Sequence, residues 1–290
     1  TLKKCVNSLK NNNLAKKSKI YFFSDGPKNE TQKKNVLKVR EYLKRIKGFK
    51  EKKIYYRKNN FGLANNIISG VTKVFNKEEK LIILEDDILV SKNFLKFMNL
   101  ALDNYKKSRK VWHISGWNYN LDLKIKDDSY FTRGMNCWGW GTWADRWEFF
   151  TKDPQGLIET FSRKQKRDFD LGGTKVFWPQ IVQNAQGKID TWAIFWYATI
   201  FLNNGLCLNP RVSFVENIGH DGTGINCGTD SISQSRRLNT DVQISFPNAI
   251  AENPSVINAI RSYYRAQKRS LVVRIFNKLA RIAFNRNLIR

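Results

Sequence analysis

Leu81-Ile82-Ile83-Leu84-Glu85-Asp86-Asp87 is the stretch on which the reading of this 290-residue chain turns. Four apolar residues in a row suit a buried strand, and three consecutive carboxylates close it. Adjacent acids repel one another and lose hydration on burial, so three at a strand end are costly unless a cation or hydrogen-bond donors answer them. Hard divalent cations take oxygen ligands, and nucleoside diphosphates are commonly held through one or two carboxylates plus the metal. Glu85, Asp86 and Asp87 are therefore candidate site residues. The same acids also suit a solvated turn before the helix that begins near Ser91, where negative charge favours the positive end of the helix dipole.

Working outward, Leu2, Cys5, Val6 and Leu9 recur at helical spacing, and Ile20-Tyr21-Phe22-Phe23 reads as a strand ending at Ser24-Asp25-Gly26-Pro27. Val36, Val39, Leu43 and Ile46 mark a second helix, Ile54-Tyr55-Tyr56 a second strand, and Leu63 to Phe75 a third helix before the strand into Glu85. Phe94 to Tyr105 gives another helix and Val111 to Ser115 another strand. This alternation predicts an α/β fold with a mostly parallel sheet flanked by helices on both faces. Ligands bind such sheets outside the carboxyl ends of the strands, where both Asp25 and the acidic triplet fall.

After Asn120 the alternation stops and tryptophans crowd in at Trp138, Trp140, Trp143, Trp147, Trp178, Trp192 and Trp196. With no long Pro/Gly/Ser linker, one mixed domain with two lobes is expected: residues 1–120, a Trp-rich lobe over 121–250, and a basic C-terminal helix over 251–290. Lys and Arg outnumber Asp and Glu by 51 to 25, for a net charge of +26, so an anionic partner is expected: a phosphorylated metabolite, a membrane surface or nucleic acid.

Taken in order, Ser24-Asp25-Gly26, Glu85-Asp86-Asp87, Cys137-Trp138-Gly139-Trp140 and Asp190-Thr191-Trp192 resemble glycosyltransferases of the GT-A (Rossmann-like) fold. The likeness is to the N-acetylglucosaminyltransferase I type and to bacterial family-2-like sugar transferases that build surface polysaccharides, and it covers residues 1 to 225. The resemblance implies a metal-dependent, inverting transfer of a sugar from a nucleoside-diphosphate sugar, a UDP-sugar such as the UDP-GlcNAc type, to a glycan or lipid-linked glycan acceptor. It implies that Asp25 accepts the uracil N–H, that Asp87 ligates Mn²⁺ or Mg²⁺, and that Asp86 faces the ribose and Glu85 the donor sugar. A cation there would neutralise charge building on the departing diphosphate.

Trp138 and Trp140 flank a glycine that permits close backbone approach, and their faces suit a donor sugar. Trp143 and Trp147 suit a packed core equally well. Asp190 matches the place of the general base that takes the acceptor proton, with burial beside Trp192 raising its pKa; a helix N-cap is the other reading. His220 and Asp221, in the glycine-rich Asn217-Ile218-Gly219-His220-Asp221-Gly222, are expected on a loop near the metal or phosphate. His113, inside a strand, is expected to be structural. The family opens with a strand and an arginine loop that would precede Thr1.

Leu271, Val272, Ile275, Phe276, Leu279, Ile282 and Ala283 fall on one helical face and Arg274, Lys278 and Arg281 on another. That pattern suits a helix lying on anionic lipid or one packed on the catalytic lobe. The uncharged run from Thr191 to Pro210 is too short in its apolar part for a bilayer, so a buried helix is expected. Four scattered cysteines suggest neither zinc nor a disulfide framework, and a cytoplasmic protein, peripheral at the inner membrane face, fits a reducing compartment. Readings from other classes are a basic nucleic-acid-binding protein, disfavoured because no binding motif is present, and a non-catalytic carbohydrate-binding module.

Overall fold

The computed structural model describes residues 1–219, 238–240 and 244–266. Along the chain run α1 (Leu2–Lys10), β1 (Lys19–Ser24), α2 (Glu30–Arg45), β2 (Glu51–Tyr56), α3 (Gly62–Phe75), β3 (Lys80–Ile83), β4 (Ile88–Val90), α4 (Phe94–Tyr105) and β5 (Val111–Ser115). There follow β6 (Ser129–Thr132), β7 (Trp140–Trp143), α5 (Ala144–Trp147), α6 (Pro154–Thr160), α7 (Arg163–Phe169), α8 (Trp178–Ala185), α9 (Ala193–Leu202), β8 (Leu206–Pro210), β9 (Val215–Asn217) and α10 (Pro254–Ala266).

Local chemistry accounts for several boundaries. The Asn29 side chain accepts the Gln32 N–H at the start of α2. Asp153 does the same for Gly156, with Pro154 as the first residue of α6. Ser162 and Gln165 form a reciprocal capping box on α7. These caps satisfy backbone donors that have no partner inside the helix.

The fold is α/β, and its main sheet has five strands in the order β3-β7-β5-β8-β6. The sheet is mixed, where the alternation of strands and helices predicts a mostly parallel one. β5 and β8 are parallel, whereas β7 is antiparallel to both β3 and β5, and β6 is antiparallel to β8. Hence β3, β5 and β8 run one way, and the two strands from the Trp-rich stretch run the other. The departure arises because β7, from the Trp-rich stretch, enters between β3 and β5 of the alternating half. Gly141 makes that entry possible: a Cβ there would press on the Leu81 carbonyl at 2.9 Å and on Met98 at 3.1 Å. Two smaller sheets flank the main one, a parallel β1-β2 pair and an antiparallel β4-β9 pair.

Side chains of β3 divide by the period of two. Ile82 joins, with Leu84 just beyond, the core built from α4, β5 and β8, while Leu81 and Ile83 join the aromatic core of Trp140, Trp147, Trp192 and Trp196. Both faces of the sheet are thus covered, by α4 on one side and by α3 and α9 on the other. The run after Thr191 is a helix over Ala193–Leu202, as expected, with nearly every residue buried, and then continues as β8. No helix among the described residues is long and apolar enough to cross a membrane. The amphipathic segment from Leu271 onward lies outside the described residues.

Candidate active site at the carboxyl end of β3

The acidic triplet forms the turn between β3 and β4. Pairing of β4 with β9 sets Ile88 opposite Asn217, and the Ile218 N–H donates to the Asp87 carbonyl at 2.9 Å. This brings Gly219 onto the Asp87 carboxylate, so closely that a Cβ at Gly219 would overlap Asp87 Oδ2. From beneath, the Cys5 thiol of α1 points at the Glu85 carbonyl at 3.6 Å. Burial, and then the charges of Asp86 and Asp87, push that thiol up to about 12. It is a packed thiol beneath the acids and not a nucleophile.

Glu85 is pushed up to about 7, first by burial and then by Asp87 and Asp86, with nothing pulling it down. Asp86 is exposed. Neither Glu85 nor Asp86 has an ion-pair partner among the described residues. Glu85 and Asp86 thus crowd negative charge against Asp87 with no cationic side chain paired to either of them among the described residues, the situation a bound cation relieves.

Asp25 follows β1, and its carboxylate accepts from the Gly26 N–H, the Asn60 amide, the Phe61 N–H and the Gly62 N–H, at 2.8 to 3.0 Å. The last three of those donors lie at the start of α3, where a negative charge complements the helix dipole. Asp25 thus ties the end of β1 to the start of α3, and a uracil N–H would have to share or displace one of these bonds.

The Cys137–Trp140 turn lies beside the acids. Gly139, at φ +62°, leaves no room for a side chain against Leu84 and Val215, and its carbonyl accepts the Gly116 N–H at 2.7 Å. Trp138 is half-buried and meets Trp117 edge-on at 5.0 Å. Trp140 corrects the expectation of a donor-stacking ring. It is wholly buried, pairs with Ile83 in the sheet and stacks on Trp192 at 5.1 Å, so no face is open to a sugar. Trp143 and Trp147 are core residues too, their indole N–H groups donating to the Leu102 carbonyl and the Thr72 hydroxyl.

Asp190 also departs from expectation. Its side chain is 61% exposed and ion-paired with Lys152, not buried beside Trp192. It does not cap α9, whose N-cap position is Trp192. The reason is that Asn184 takes over the local bonding, accepting the Thr191 N–H and donating to its hydroxyl, which leaves Asp190 facing outward. His220 and Asp221 lie outside the described residues, immediately after Gly219. His113 is structural as expected: it is wholly buried, its Nε2–H donating to the Asn136 carbonyl and its Nδ1 accepting from Trp196.

Residues that motif reading passed over surround Asp25. Arg40 donates to the Asp25 and Arg57 carbonyls, and Arg57 lies over the exposed Phe61 ring at 4.6 Å. Arg40 sits on α2 and Arg57 just past β2, so no spacing in the sequence links either to Asp25.

Among the described residues, no three His, Cys, Asp or Glu side chains converge as a ready metal cage. A divalent ion held by one carboxylate and by ligand phosphates needs no such cage, and the crowded carboxylates of the turn fit that mode. A scan against protein-family models finds no match to this chain, and a search of curated proteins finds no relative.

Proposed function

We propose that this chain is a metal-dependent glycosyltransferase of the GT-A type that moves a sugar, with inversion, from a nucleoside-diphosphate sugar to a glycan acceptor. The observation that carries this reading is the acidic turn at the carboxyl end of β3, with Glu85 held near 7 by burial and by its own neighbours. Such crowding is maintained where a cation and a polyphosphate are to be bound. The shared direction of β3, β5 and β8 is compatible with the fold type.

In this reading Asp87 holds Mn²⁺ or Mg²⁺, whose chemistry when bound is to neutralise charge on the departing diphosphate. Asp86, exposed at the turn, faces the ribose, and Glu85 faces the donor sugar. Trp138, half-buried in the turn next to Gly139, lies against the donor sugar, and Arg57 with Phe61 offers a cation and a ring to the base. Asp190 takes the acceptor proton: its exposure gives an acceptor hydroxyl access, and Lys152 holds the carboxylate in place.

The test is slow hydrolysis of UDP-, GDP- and dTDP-sugars with Mn²⁺, wild type against Asp87→Ala. Metal-dependent release of one nucleotide, lost in the variant, is the expected result. Equal release from both proteins, or no donor binding in the presence of Mn²⁺, would sink the reading.

A further inference from the structure

Away from the acidic turn, α7 and α10 border an open surface cleft of about 450 Å³ lined by Lys164, Arg167, Asp168, Gly172, Arg261 and Arg265. Four cations thus face one carboxylate. Asp168 partly answers Lys164, at 3.6 Å on the exposed surface, and has no ion-pair contact with the arginines. The other acid of this region, Asp170, is committed elsewhere: its carboxylate accepts the backbone N–H groups of Lys175, Val176, Phe177 and Trp178.

The walls are firm. Asp170 pins the loop after α7, and Gly172, at φ +80°, adopts a backbone conformation that lets the loop lie against Arg261. On the other side Tyr264 bonds Tyr119 hydroxyl to hydroxyl at 2.9 Å and meets the Phe177 ring edge-on, tying α10 to the same loop. Arg261 makes one long contact, to Asn258 at 3.4 Å, while its Nε is buried without a hydrogen-bond partner. The Nη groups of Arg261, bonded only to Asn258 at that length among the described residues, keep donors for an oxyanion.

From this geometry we infer a second anion site between α7 and α10, built for a phosphate or diphosphate group. The planar forks of Arg167, Arg261 and Arg265 suit bidentate bonding to phosphate oxygens, and the cleft has room for a diphosphate. Two sources carry that chemistry, a phospholipid headgroup and a soluble polyphosphate. The site contains none of the residues of the acidic turn and does not depend on the transferase reading.

The experiment uses the full chain without divalent metal. Inorganic pyrophosphate is titrated by calorimetry, and flotation is measured with phosphatidylcholine vesicles with and without phosphatidic acid. Arg167→Gln/Arg261→Gln is compared with Lys34→Gln/Lys38→Gln, which removes the same charge from exposed positions on α2. The pocket variant is expected to weaken saturable binding by at least about tenfold and the control by less than about twofold. Asp168→Asn is expected to tighten binding, a gain that misfolding does not imitate. Loss of pyrophosphate binding alone assigns a soluble ligand, and loss of flotation as well assigns a headgroup. Equal weakening in the pocket variant and the control, or no saturable binding to either probe, would overturn the site.

Discussion

Gly219 packs directly on the carboxylate of Asp87, with no room for a methyl group between them. Adding one in Gly219→Ala forces the flexible end of Asp87 to swing away, since the β4-β9 pairing holds the backbone. We expect metal-dependent nucleotide release to fall by about tenfold or more, because a displaced ligand misplaces the reacting group. The melting temperature should stay near that of wild type. Unchanged release would show that the position of Asp87 does not matter.

In metal-free protein Glu85 should titrate near 7, above the usual carboxylate range. The protonated form is thus favoured by the fold, so stability loses ground as pH rises from the unfolded value near 4.5 to about 7 and then levels. Asp87→Asn removes one of the charges responsible and should shift the Glu85 titration downward in carbon-detected NMR. A titration that stays put would remove Asp87 from the causes of the shift, leaving burial and Asp86.

His113 acts in the opposite sense. Burial holds it down to about 3, below its ordinary 6.5, so the unfolded chain binds a proton that the folded one refuses. Stability is fully present above 6.5 and is lost as pH falls towards 3, by up to roughly 1.4 kcal/mol per pH unit from this group. Because Glu85 acts in the opposite sense over the same range, the check is made in Glu85→Gln, where a stability curve flat between pH 6.5 and 4 would contradict the burial of this ring.

The two tryptophans of the Cys137–Trp140 turn should behave differently. Trp140→Ala opens a cavity in the aromatic core and should cost about 3–5 kcal/mol in chemical denaturation. Trp138→Ala, at a half-buried ring, should cost less than about 2 kcal/mol and weaken donor-sugar binding. Equal destabilisation with no effect on binding would make Trp138 a core residue as well.

Because Asp190 is exposed and paired only at the surface, Asp190→Asn should leave the melting temperature nearly unchanged. As the acceptor base it should nonetheless lower transfer by about a hundredfold or more while sparing donor binding. Transfer at the wild-type rate would remove it from the mechanism.

Through Ser115 the chain is legible apart from β4, a three-residue strand too short to carry a period and defined by its pairing with β9, because each other element carries its own periodicity. Helical spacing marks the buried faces of α1, α3 and α4, and short β-branched and aromatic runs mark β1, β3 and β5. Legibility fails at β7. Trp140-Gly141-Thr142-Trp143 has no polar face to alternate with, since both sides are buried, and the spacing of Trp143 to Trp147 imitates a helix although it runs from a strand into a short one. For the same reason Trp140 reads as a sugar platform until its partners in the core are known.

By itself the sequence determined that the chain alternates strands and helices in its first half, and that three acids close β3. Both follow from local order: side-chain periodicity and the end of an apolar run. Only the tertiary structure decided that β7 runs backwards between β3 and β5, that Gly219 meets Asp87, that Asn184 displaces Asp190 outward, and that arginines of α7 and α10 share one cleft. These depend on contacts between residues distant in the chain, and the side chains that make them carry no mark of their partners until the backbone has folded.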